Sequence, residues 1–304
     1  MGSGRTRQPD NTNTGSSMSR LPHLAQRMFN TPIAIHPQKA EIVVAALADR
    51  LGIAHMFRDG QHIAMGPGMI ALDEADRAAE KAYDVVAGIA VIPIQGTLVQ
   101  KLNSLRPFSG MTGYDGIRLN FLDALNDKSV KAIVLDIDSP GGEVAGCFDL
   151  VDLIYQARGQ KPIHAILDEN AFSAAYALAS AADRITVPRT GGTGSIGVIL
   201  MHVDLSQSLS KAGVVVTMVR YGAYKAEGSE YESLSEGALA RIQADIDQMG
   251  ALFCETVARN RGLKTSAVKG LEARTYMGAA GVAAGLADQV CAPDAAFANL
   301  LSSL

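Results

Sequence analysis

The sequence of 304 residues predicts an α/β fold built on a largely parallel sheet, and three observations carry that prediction. From Ile89 onward, short apolar runs alternate with stretches of helical periodicity. One of those runs, Ala132 to Ile137, is continuously apolar up to its Asp136 rather than alternating, as in strands buried on both faces. Glycine-rich connections such as Pro140-Gly141-Gly142 follow the strands and lead toward helices.

In chain order, residues 1–20 are rich in Gly, Ser, Thr and Asn, have little to bury, and read as a disordered leader. Residues 21–85 read as a helical N-terminal region and linker. Pro37 suits a first helical turn, Ile42, Val43, Ala46, Leu47 and Leu51 recur at helical spacing, and Gly52 ends the pattern. The charged stretch Asp73 to Lys81 leads into the main domain, expected over 86–292. There the reading is a strand from Ile89 to Ile94, a helix from Ile117 to Asn126, a strand from Ala132 to Ile137 and a turn at Asp138-Ser139-Pro140-Gly141-Gly142. A helix with Val144, Cys147, Phe148, Val151 and Ile154 on one face follows. Next come a strand from Pro162 to Leu167, a small-residue helix from Ser173 to Ala182, a strand from Arg184 to Val187, and apolar stretches at Ile196 to Val203 and Val214 to Val219. Leu234 to Gly262 is helical, and 293–304 reads as a C-terminal tail.

Composition excludes several classes. Hydrophobic residues make up 48% and charged residues 19%, the profile of a globular protein, and the net charge of -4 offers no basic surface for nucleic acid. No apolar run is long enough for a membrane span, and residues 1–20 contain no signal-peptide core. The cysteines Cys147, Cys254 and Cys291 fit neither a disulfide framework nor a zinc site, so reduced thiols in a cytosolic compartment are expected, with no metal and no cofactor. The six histidines form no metal-binding pair, and His164 reads as a core residue within a strand.

Amide hydrolysis needs a nucleophile, a base and donors for the developing oxyanion, and each has a candidate. Ser173 stands at the start of the small-residue helix, where free N–H groups and the helix dipole favour an oxyanion; taken alone, a serine there more often caps the helix. Lys225, in Gly222-Ala223-Tyr224-Lys225-Ala226-Glu227, serves as base only if it is neutral, which burial favours, and an isolated lysine in such a loop is more often solvated. Gly141 and Gly142 follow a strand end, where open α/β sheets place their sites, and Gly142 and Ala174 are the candidate oxyanion donors. Ser139 is a rival nucleophile better suited to capping. In Gly191-Gly192-Thr193-Gly194-Ser195 the hydroxyls of Thr193 and Ser195 either orient an amine or bond within the turn.

Taken together, DSPGG at 138–142, the Ser173 segment, TGSIGV at 193–198 and GAYKAEGS at 222–229 resemble the signal peptide peptidase A family of serine-lysine peptidases. The resemblance implies a ClpP/crotonase-like fold, Ser173 as nucleophile, Lys225 as general base, and homo-oligomeric rings in which dyad residues come from one or two subunits. Leu21-Pro22-His23-Leu24-Ala25 and Pro107-Phe108-Ser109-Gly110-Met111-Thr112-Gly113-Tyr114 are similar to its phage head maturation branch, the lambda-type capsid assembly proteases. That branch implies protein substrates (scaffold, portal or other head proteins) and a place in the bacterial cytoplasm and then the prohead or virion interior. Many members have Gly-Gly after the nucleophile where this chain has Ala174-Ala175. Members often carry a C-terminal scaffold extension; this sequence stops at Leu304, which leads to the expectation of a protease-only form, a fragment, or a separately encoded scaffold. The alternatives are a cytosolic signal-peptide-peptidase-like protease, a crotonase-type acyl-CoA enzyme, and a structural head protein with a vestigial site.

Overall fold

A computed structural model describes residues 31–36 and 81–304. The expected leader and the helix expected from Pro37 to Leu51 lie outside the described residues. The α/β class is met: the central strands pair in parallel in the order β10-β7-β6-β5-β3, with β2 antiparallel at one edge. These are β2 (Asp84–Val86), β3 (Ile89–Val99), β5 (Ala132–Glu143), β6 (Ile163–Phe172), β7 (Arg184–Val187) and β10 (Gln289–Val290). Four short strands extend the sheet: β1 (Ile33–Ile35) on β5, β4 (Met111–Gly113) on β3, and β8 (Gly192–Gly194) on β6, with β9 (Thr275–Met277) on β8.

Helices cover both faces because the inner strands are apolar on both. Ile133, Leu135 and Ile137 face the main core with α1 (Tyr114–Asn126), α2 (Cys147–Gln156), α3 (Ala174–Ser180) and the end of a long helix, Glu236–Arg261. On the other face Ala132 and Val134 meet Ala296 and Leu300 of a helix at Pro293–Ser302. Residues 293–304, expected as a tail, thus contribute a packed helix. The boundary expected after residue 85 falls inside β2, and the region expected to be helical supplies strand β1. Three residues, Ile33-Ala34-Ile35, are too few for a periodicity to show.

Most expected elements are present, β3, β5 and β6 each running longer than expected, and the DSPGG segment differs in kind. It is the continuation of β5, paired with β3 on one side and β1 on the other. Its irregularity is absorbed at Gly141, with φ of 101°, and in register shifts on both flanks. Val214 to Val219 forms no strand, and from Gly197 to Leu252 only Ala238 is buried.

Helix α3 is the hub of the core. All seven of its residues are fully buried, and its small side chains let β5, β6 and neighbouring helices approach closely. Arg158 closes its C-terminal end by donating to the carbonyls of Ser180, Ala181, Ala182 and Asn260 at 2.6–3.2 Å. Asn260, near the end of the long helix, also donates to the Ser180 hydroxyl at 3.0 Å.

Two expectations follow. Arg158→Ala leaves four carbonyls short of their donor and should lower stability by about 3 kcal/mol, read as a lower urea midpoint at unchanged m-value. The Asp136 carboxyl is pushed up to about 6, first by burial and then by Asp168 and Asp138. Because the folded state keeps this proton longer than the unfolded chain, stability should fall as pH rises from about 4 to about 6. Asp136→Asn should therefore be more stable than the parent at pH 7–8, an advantage that shrinks on acidification through that window in pH-dependent urea titrations.

Candidate active site

Strand β6 ends at Phe172 because the next residue reverses the chain into α3. Ser173 makes that turn at φ 54° and ψ −122°, a conformation that β-carbon-bearing residues seldom adopt. Its amide donates to the Gly194 carbonyl at 2.8 Å, and its carbonyl accepts the Ala177 amide at 2.9 Å, so the turn is pinned on both sides. The side chain makes no helix cap. Its Oγ instead donates weakly to the Gly197 carbonyl at 3.4 Å, and the residue is 1% exposed. A buried hydroxyl on a strained strand-to-helix turn, at the positive end of a short helix, is how a fold holds out a nucleophile.

The glycine segment lies directly against it. A side chain begun on Gly141 would stand 2.2 Å from the Ala34 carbonyl oxygen and 2.9 Å from Ser173 Cβ, and one on Gly142 would stand 1.8 Å from the Leu98 carbonyl oxygen. Both positions require glycine on space alone. The Gly141 amide donates to Ser139 Oγ at 3.2 Å, and Ser139 Oγ donates to the Gly96 carbonyl at 2.6 Å, which makes Ser139 a fastener of the segment. Gly142 pairs with Ala34 between the bonds His36 N to Pro140 O and Val144 N to Pro32 O, so ladder alternation directs its amide at Ala34. The Ala174 amide opens α3, among the first-turn N–H groups that lack an intrahelical acceptor.

Of the remaining candidates, Thr193 is fully buried and donates to the Tyr276 carbonyl at 3.2 Å, holding β8 to β9. Ser195, at φ 55°, lines a cavity of about 390 Å³ together with Ile35, His36, Gly197, Ile199 and Arg274. Ser173, Gly141, Gly142, Ala174, Thr193 and Ser195 are thus clustered at one end of the sheet. Lys225 is apart from them. It is exposed on a loop, its ammonium makes no hydrogen bond or ion pair among the described residues, and nothing described joins it to Ser173. Its loop is held to the long helix by the Glu227–Arg241 ion pair and by Arg241 over the Tyr224 ring. Among the described residues no cluster of side chains could hold a metal ion, and no helix is long and apolar enough to cross a membrane. His164 lies on β6, half-buried, and burial followed by the nearby Arg184 lowers its pKa. The contributions of β1 and of the Gly197 carbonyl had no signal in the sequence pattern.

Residues 156–303 match the family model described as Peptidase family S49. Over 289 residues the chain is 41% identical to the head-tail preconnector protein GP5 of Enterobacteria phage P21, covering 93% of this chain and 58% of that protein. Over 282 residues it is 37% identical to the capsid assembly protease C of Escherichia phage lambda, covering 90% and 64%. The chain therefore spans about three fifths of the length of these two phage proteins. Among solved structures, a ClpP1 mutant from Listeria monocytogenes overlaps at a TM-score of 0.40 and 12% identity, covering 66% of this chain and 90% of that one.

The turn itself is testable. Glycine tolerates the Ser173 backbone and alanine does not, so Ser173→Gly should exceed Ser173→Ala in stability by about 1 kcal/mol, the reverse of the usual order. Paired denaturant titrations would read the difference.

Proposed function

We propose that this chain is a serine endopeptidase of phage head maturation that acts through Ser173 and Lys225. The observation that carries the reading is the buried Ser173 hydroxyl on a strained turn beside a glycine-lined strand edge. The family match, and the names of the two phage proteins that this chain resembles over most of its length, support it. In this reading neutral Lys225 takes the Ser173 proton, Oγ attacks the peptide carbonyl, and the amides of Ala174 and Gly142 receive the oxyanion once Gly142 is released from Ala34. Lys225 returns the proton to the leaving amine, and water then hydrolyses the acyl-serine. Thr193 and Ser195 act as supports for the turn. The substrates are scaffold, portal or other head proteins, and the setting is the host cytoplasm and then the prohead or virion interior.

A lysine base needs an apolar enclosure, which the single chain does not provide at Lys225. Val215, Val219 and Tyr221 on the same segment are 87%, 98% and 100% exposed. Such a segment fits an oligomer in which a neighbouring subunit covers it and completes the dyad.

Incubated with scaffold protein, the parent should cleave, and Ser173→Ala and Lys225→Ala should each lose at least a thousandfold in rate. Mixing the two inactive variants should restore part of the activity if the dyad spans subunits. Cleavage surviving in both variants would remove the dyad, while failure of a fluorophosphonate to label Ser173 would favour a head protein with an idle site.

A further inference from the structure

Strand β1 lies where a substrate has to lie. When Ser173 turns β6 out of the sheet, the last β5–β6 pair is Ser139 with Ala171, and the β5 edge at Gly141–Glu143 loses that neighbour. An extended peptide offering a carbonyl to Ser173 can satisfy its backbone by pairing with this vacated edge. Ile33–Ile35 does so from within the chain. It runs antiparallel to Gly141–Glu143, and along its other side Ile33 exchanges both backbone bonds with Ile199, at 2.9 and 3.0 Å. The Ala34 carbonyl reaches the same point beside Gly141 as Ser173 Cβ, and the His36 ring sits against Phe172 with centroids 5.0 Å apart.

While β1 is in place no second strand can enter, because both flanking edges have their bonds taken. We propose that residues 31–36 are an autoinhibitory strand that fills the substrate groove and that an incoming polypeptide must displace, an inference that rests on Ser173 being the nucleophile. The strand is suited to leaving. It has only three residues, Pro32 adds no donor, and Ile33 and Ile35 pack with Ile199 and Met201 in a small cluster separate from the main core. The 390 Å³ cavity beside Ile35 and His36 is the part of the groove that the strand leaves open.

Hydrogen exchange on the full chain, with and without an extended peptide boronate that captures serine nucleophiles, tests this. The expected result is capture with loss of protection at the Ile33, His36 and Ile199 amides; capture with protection unchanged overturns the inference. Absence of capture, judged by mass, overturns the Ser173 reading and takes the inference with it. An Ile33→Cys/Glu143→Cys pair, neighbours in the antiparallel register, ties the strand down when oxidised. Cleavage of an added peptide should then fall at least tenfold and return on reduction, and equal rates in both states would count against displacement. A Ser173-dependent cut within residues 31–36 would make the strand a substrate and overturn its inhibitory role.

Discussion

The burial of helix Ala174–Ser180 is the constraint on which the rest of the molecule depends. Seven residues fully removed from water, four of them alanines, leave the chain no freedom at the helix entrance, and Ser173 takes up a positive-φ turn there. Such a conformation costs on the order of 1–3 kcal/mol, less than the packing around it supplies. The reversal ends β6, frees the β5 edge and sets Ser173 beside it. The strained serine and the open strand edge beside it are two consequences of one packing decision.

The glycines show the same economy of space. Gly141 and Gly142 have backbone oxygens at 2.2 and 1.8 Å from where a side chain would begin, so the DSPGG segment lies flat between β3 and β1. Ser139 fastens the segment from beneath by accepting the Gly141 amide and donating to Gly96. What reads as a tight turn in one dimension is a bulged strand in three, because partners on both sides complete its ladder.

A dense body and a projecting arm divide the chain. Strands, α3 and the end of the long helix share one core, whereas Gly197 to Leu252 buries only Ala238. The arm carries Lys225 and an apolar surface in want of a cover, while the body carries Ser173. Such a separation fits the proposal that a neighbouring subunit brings Lys225 to Ser173.

Periodicity and β-branched runs in the sequence were sufficient to locate the strands at Ile89, Ala132, Pro162 and Arg184 and the helices between them, since each buries a face whose pattern is local. Four short motifs in order, by their resemblance to serine-lysine peptidases, pointed to Ser173 and Lys225, and residue chemistry offered Gly142 and Ala174 as candidate donors. The three-residue strand at Ile33, the ladder bond that directs the Gly142 amide to Ala34, and the Arg158 cap on α3 were beyond its reach. Each ends on backbone carbonyls of residues remote in the chain, and every residue carries the same carbonyl. The sequence by itself determined which side chains can do chemistry; only the tertiary structure decided that Ser173 is strained, that Ile33–Ile35 lies on the strand edge beside it, and that Lys225 stands away from it, because these depend on which edges and surfaces meet once the helix is buried.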